Sequence, residues 1–266
     1  MNDDETGDET GDEADRAPHT NPDTAPDTDP NDPLLRLLTD VLDLGAPYGL
    51  ALAGDYAALA HGLVAKAGRG ALEVATESAE PMETIAAAVR AGLEEGDRRV
   101  RPLQTTPLST RLLVTEPATG AERTLDTGLD TVPGIALDIV KEALWRPPVD
   151  TGLGPTLSVE DVIGTKVRAL ADRGLARDLV AVHAAADRWS LTELEELGRR
   201  HALDAFDLTD LQSRLEGMEW IADREFTGSG LDEQAIMALR QWAQTWADDI
   251  AERLLEEEAM EPPPDE

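Results

Sequence analysis

Residues 50–76 read LALAGDYAALAHGLVAKAGRGALEVAT, and the organisation of the chain turns on them. The segment begins inside YGLALA (48–53), a short and nearly all-apolar run that predicts a strand covered on both faces. Gly54 predicts a tight turn, the residues from about Tyr56 to Val64 a helix, and the Gly-rich stretch after them a loop. ALEVA (71–75) is the second strand candidate. Two acids interrupt this unit: Asp55 directly after the glycine, and Glu73 within the second strand.

Upstream, Asp32-Pro33 before LLRLLTDVLDLG predicts an N-cap, a proline at N1 and an amphipathic helix stopped at Gly45. Downstream, Pro81 opens a helix to about Glu95, with Ile85, Val89 and Leu93 spaced by four. RVRPLQ and TRLLVTE predict strands, EPATGAE a turn, and RTLD a strand pairing back after it. TGLDTVPG (127–134) predicts a loop before IALDIV (135–140), another strand. From Ser158 the pattern becomes helical, over about 159–173, 176–187, 191–201, 208–217 and 232–257. Ser158-x-x-Asp161 and Ser190-x-x-Glu193 have the spacing of capping boxes. In the last helix Ile236, Leu239, Ala243, Trp246, Ile250 and Leu254 form a core-facing stripe, with a partner-protein groove as the alternative. Mixed strands and helices followed by helices alone predict an α/β (α+β) mixed-sheet domain over 34–157 and a helical domain over 158–255.

The flanks differ in kind. Residues 1–33 carry 12 acids against one Arg and no Leu, Ile, Val or aromatic residue. Such a segment cannot bury enough apolar surface to offset ordering its backbone, and it predicts a disordered acidic tail. Residues 256–266 add 6 acids and no base, a second acidic tail. The chain of 266 residues totals a formal charge of -32, of which 34–255 keep -15. That balance argues against tight nucleic-acid binding, although a local basic cleft stays open. There is no Cys, which excludes disulfides, thiolate zinc sites and a Cys nucleophile. No apolar run reaches membrane-spanning length, so a cytoplasmic protein without a membrane partner is expected.

Common catalytic motifs are absent. GTK (164–166) lacks the upstream glycine of a phosphate-binding loop, and neither G-x-S-x-G nor H-E-x-x-H occurs. His61 and His183 are expected to pack rather than ligate. The segments LALAGDYAALAHGLV, LEVAT, LDIVKEALWRPPV and DVIGTKVRALADRGLARDLVAVHAA, in this order and spacing, resemble the DNA polymerase β-like nucleotidyltransferase superfamily and, more closely, its AbiEii/AbiGii toxin family. The likeness runs from about Tyr48 to Ala186 and leaves out both tails.

The resemblance implies a site. A Gly-Gly or Gly-Ser turn would dock a triphosphate, paired carboxylates on the next strand and a third acid would hold Mg2+, and a helix Lys would neutralise phosphate charge. Carried over, nucleotide binding falls to Gly54, Asp55 and Lys166, metal binding to Glu73 and Asp138, and catalytic roles to Lys166 and Asp178. Asp126 is the weaker candidate for the third acid. Three positions depart from the family pattern. Asp55 replaces the second Gly or Ser, would repel phosphate and would cap its own helix; Ala71 replaces the first metal-binding Asp; Ala181 replaces a supporting acid. Lys166 sits at the edge of the Val159/Ile163/Val167/Leu170 stripe, where a lysine can instead snorkel, and Arg168 is expected on solvated surface. The resemblance therefore implies Mg2+ and NTP only if activity remains, and a cognate antitoxin or other protein as partner. Three functions follow: an impaired member acting through binding, an active transferase toxin modifying RNA or protein, and an interaction protein whose cleft is filled.

Overall fold

The computed structural model describes residues 33–67, 70–116, 124–126, 131–202 and 204–260. The expected N-cap Asp32 and most of both acidic tails lie outside them. Helix α1 (Pro33–Gly45) buries Leu34, Leu37, Leu38, Val41 and Leu42, the stripe that its spacing predicts. A 3-10 turn follows, and then β1, which is only Ala51–Leu52. The rest of the 48–53 run is tied down by other bonds. Thr76 Oγ1 donates to the Tyr48 carbonyl at 2.5 Å, and the Ala53 N–H donates to the Glu73 carbonyl at 2.9 Å.

Helix α2 (Gly54–Ala60) starts two residues earlier than expected and stops four residues sooner. Strand β2 (Leu72–Thr76) and helix α3 (Met82–Glu95) fall where the pattern puts them, and α3 buries Met82, Ile85, Val89 and Leu93. Strands β3 (Arg99–Thr105) and β4 (Ser109–Thr115) form a hairpin. The expected back-pairing of RTLD is corrected. Strand β5 (Thr124–Asp126) pairs with β6 (Thr131–Pro133), inside the expected loop, as a separate two-stranded sheet. Then come β7 (Ile135–Lys141) and the hairpin of β8 (Val149–Thr151) with β9 (Gly154–Thr156).

The main sheet has the order β3-β4-β7-β2-β1-β9-β8. It is mixed: β2 runs parallel to β7 and β1 parallel to β9, and the other neighbours are antiparallel. The central pair buries one face through Leu72, Val74, Leu137 and Ile139 and parts of the other through Ala75 and Ala136, which explains its nearly unbroken apolar sequence.

The helical half comprises α4 (Val159–Arg173), α5 (Ala176–His183), α6 (Leu191–Arg200), α7 (Leu208–Glu216), α8 (Asp223–Thr227) and α9 (Glu233–Met260). Helix α8 was not expected. It is barely more than one turn, too short for periodicity to show, and Phe226 anchors it in the core. Helix α9 extends into the acidic run expected to be a tail. Its stripe packs inward, with Ile236, Leu239, Ala243, Trp246 and Ile250 buried and Leu254 half-buried. One apolar core runs from α1 through the sheet to α9. Among the described residues no helix is long and apolar enough to cross a membrane.

The capping boxes part ways. Ser190 and Glu193 form both reciprocal bonds. Ser158 accepts from the Asp161 N–H, but the Asp161 carboxylate instead accepts from the backbone N–H groups of Trp145 and Arg146 at 2.9 and 3.2 Å. Trp246 donates from its indole N–H to buried Glu195 at 2.9 Å. Truncating Trp246 to Ala should cost about 3–5 kcal/mol in urea unfolding. Met237→Ala, on the exposed face of the same helix, should stay within about 0.5 kcal/mol.

Candidate active-site cleft

Gly54 has φ +60°, a conformation that side chains disfavour, and a Cβ there would lie 3.1 Å from the Glu73 Cβ. The turn therefore needs glycine, both to bend and to let α2 pass close to β2. Glu73 aligns with Asp138 across the parallel β2–β7 pair, and Asp138 aligns with Arg111 across β7–β4. In-register neighbours project from the same face of a sheet. Arg111, Asp138 and Glu73 thus form one row across three strands. Arg111 Nε and Nη2 donate to the two Asp138 oxygens at 2.7 and 2.6 Å, a bidentate pair. Burial pushes the Glu73 carboxyl above its usual range, and the Asp138 charge adds to this while Lys166 opposes it.

Lys166, on α4, is almost wholly buried. Its ammonium donates to Asp55 on α2 and, at 2.9 Å, to the fully buried Asp178 on α5. Burial alone would pull its pKa down, but Asp178 and Asp55 outweigh that and hold the lysine charged. Two arginines flank the triad. Arg173 Nε donates to Asp178 at 3.2 Å, and Arg177 Nε lies 3.5 Å from Asp55. Three helices are thereby joined by one buried cation.

Two expectations for these residues are corrected. Asp55 does not cap α2, whose N-cap Ala53 receives no side-chain bond; the Asp55 carboxylate is drawn to Lys166 and Arg177 instead. Lys166 does not snorkel to water, because Asp178 gives its charge a buried partner. Arg168 is also not free surface. Its guanidinium donates to Glu142 at 2.5 and 2.9 Å and to the His201 carbonyl at 2.7 Å. His201 in turn lies 3.1 Å from Asp161, where α6 crosses α4 at Gly164; a Cβ on Gly164 would meet the imidazole at 2.4 Å. Burial would lower the His201 pKa, but Asp161 and Glu142 outweigh it and raise it.

The remaining candidates are soon placed. His61 bonds the Leu157 carbonyl at 2.7 Å, and His183 packs edge-on against Trp242 at a centroid distance of 5.0 Å. Ala181 is buried in the core. Asp126 ends β5, and its side chain lies outside the described residues.

The row, Asp55 and Lys166 line one cavity of about 350 Å³, with Asp178 buried behind them. The cleft is not filled, as a purely interacting protein would have it. Five basic and three acidic side chains line it, in a chain whose acids far outnumber its bases. Sequence reasoning passed over Arg111 and Arg173 as site residues. Arg173 was findable, since it stands seven residues after Lys166 and so on the same helical face. Arg111 had only a faint signal, a single charge at the start of RLLV.

The donor set does not fit a pair of divalent cations. Position 71 is Ala, both Asp138 oxygens accept from Arg111, and Glu73 is left as the remaining acid of the row. Among the described residues no group of three or more His, Asp or Glu is arranged to hold a metal ion.

Two measurements probe this electrostatic frame. Lys166→Met should destabilise the fold by about 3 kcal/mol in urea, the low end for a broken buried pair, because Arg173 and Arg177 still serve the acids. The second measurement concerns the raised pKa of Glu73. The folded state holds that proton more tightly than the unfolded chain, so the Glu73 charge costs stability increasingly as pH rises from 4.5 through the raised value. Glu73→Gln should therefore melt higher than wild type at pH 7, and the gap should close by pH 4, as followed by circular dichroism.

No family model and no curated protein matches this sequence. Solved structures do resemble it. One is described as a candidate nucleotidyltransferase from H. pylori, 15% identical, covering 83% of this chain and 94% of its own, with TM-score 0.45. Another is the antibiotic-resistance factor ANT(2'')-Ia, 13% identical, covering 62% of this chain and 88% of its own, with TM-score 0.40. A third is MenT4, a nucleotidyltransferase toxin from Mycobacterium tuberculosis H37Rv, 14% identical, covering 82% of this chain and 92% of its own, with TM-score 0.36. A glycine turn between strand and helix, acids in register on the parallel strands beside it, and a lysine reaching in from the first helix of an all-helical half are the arrangement that the resemblance in the sequence implies.

Proposed function

We propose that this protein is a catalytically impaired member of the nucleotidyltransferase fold that acts through binding, of a ligand in the cleft or of a partner protein such as a cognate antitoxin. One observation carries the reading: Asp138, the acid best placed to hold a metal with Glu73, is engaged through both oxygens by Arg111. A bidentate guanidinium takes one lone-pair direction on each Asp138 oxygen and sets a positive charge beside them, so a divalent cation there would meet a reduced donor set and like-charge repulsion. Ala71 removes the neighbouring acid, and Asp55 gives the lysine a protein partner where a phosphate would go. Nucleic acid is not the ligand proposed, because the overall charge opposes a phosphate backbone.

The alignment of Glu73 with Asp138 supports a second reading, an active metal-dependent transferase in which Arg111 swings away as metal enters. A transfer assay separates the two. With labelled nucleoside triphosphates, magnesium or manganese, and RNA or co-expressed protein as acceptor, the unaltered chain should transfer no label above background. Ala71→Asp alone should stay inactive, since Arg111 still holds Asp138. Strong metal-dependent transfer by the unaltered chain would establish the second reading in place of the first.

A further inference from the structure

Three arginines of the cleft share one mode of attachment. Arg111 uses Nε and Nη2 on Asp138, Arg173 uses Nε on Asp178, and Arg177 turns Nε toward Asp55. No hydrogen bond among the described residues uses Arg111 Nη1 or either terminal nitrogen of Arg173 and Arg177. Their side chains are 52%, 49% and 40% exposed, and all three line the same cavity. Each guanidinium is therefore oriented from behind by an acid and presents its outer N–H edge forward. That edge matches the oxygens of a phosphate, and the anchoring removes part of the ordering cost of binding.

The position of Arg111 matters most. It stands beside Asp138 and Glu73 in the row, where its charge already offsets their repulsion. A divalent cation bound to those acids would do the same and would also attract phosphate. Arg111 does both without leaving the protein. The cavity of about 350 Å³ is within the usual range for small-ligand sites of roughly 300–1,000 Å³.

We infer that the cleft binds a diphosphate or triphosphate group without a divalent metal, with Arg111 standing in for the cation and Arg173 and Arg177 holding the outer oxygens. The inference rests on the proposed reading of a binding protein and names its ligand class. Asp138 and Asp178 stay paired as ligand binds, because the outer edges are used. Arg177 likewise keeps Nε toward Asp55.

Calorimetry with pyrophosphate and with ATP, on the full chain, tests it. Both should bind in EDTA, adenosine should not, and magnesium should improve affinity by less than about threefold, since its site is already filled by a guanidinium. Affinity should fall with added salt. Arg111→Ala should weaken binding in EDTA by about tenfold or more, the scale of one lost charge-assisted bond. Magnesium should then recover part of the loss, because Asp138 and Glu73 are left unneutralised. A purely structural arginine would not create a metal requirement. Arg90→Ala, on the solvent side of α3, should change nothing. If Arg111→Ala does not fold, Arg177→Ala gives the same readout in EDTA, since Asp55 keeps Lys166 as its partner. Binding only with magnesium, unchanged binding in the arginine variants, or no binding of either phosphate compound overturns the inference. The transfer assay judges the underlying reading separately: a chain that binds no phosphate and transfers nothing still fits a partner-binding protein.

Discussion

The buried ammonium of Lys166 is the constraint on which the site depends. A charge removed from water is costly unless it is paired and fully hydrogen-bonded. Here two carboxylates from different helices meet it, Asp55 from α2 and Asp178 from α5. The lysine therefore fixes the spacing of three helices at the mouth of the sheet. It also fixes the two outer arginines, because Arg173 and Arg177 take the carboxylate oxygens that Lys166 leaves. Replacing such a pair with apolar residues is often neutral or stabilising. Stability alone is thus a weak reason for this arrangement, and the direction of the exposed guanidinium edges gives a better one.

Composition and local charge point opposite ways. The chain as a whole is strongly acidic, yet five of its 23 bases line a single cavity. Averages over sequence lose this, because the five come from two segments: Arg111 from β4, and Lys166, Arg168, Arg173 and Arg177 from the α4–α5 stretch. Lys166 and Arg173 stand seven residues apart on one side of α4, and Arg177 joins them from the start of α5. The acids that pair with them come from β7, α2, α5 and the 142 turn.

The same contrast explains what could be read in advance. The strands and long helices were legible because burial imposes a period on apolar residues, as in Ile85, Val89 and Leu93 or in the α9 stripe. The strands of Glu73 and Asp138 were legible, but their register across the parallel pair was not, because strand positions alone do not fix pairing. Short elements were not legible: α8, β6 and the β8–β9 hairpin are too brief to repeat. Side-chain partners were least legible of all. Asp55 looked like a helix cap because the neighbouring N–H groups are its nearest neighbours in sequence. Its actual partner lies 111 residues away, and a buried cation attracts a carboxylate more strongly than neutral backbone amides do. Arg168 was misjudged for the same reason, since its periodic position points off the stripe while Glu142 waits there from another element.

The charges around the row share a sense in this geometry. Ala71 and Arg111 both shift charge in the direction expected if no cation enters, whereas the added charge of Asp55 is offset by Lys166 and Arg177. Position 71 carries no acid near the row, Arg111 adds a positive group beside it, and Asp55 supplies an internal anion for Lys166. Loss of function by itself would not require these changes to match. A site merely losing its ligands would leave Glu73 and Asp138 facing each other, and burial already makes the Glu73 charge unfavourable. Nor would it require the cleft to stay open, since a cavity without a ligand forgoes the packing contacts of its walls. The matched charges and the open space are together what an anion-binding cleft independent of metal requires.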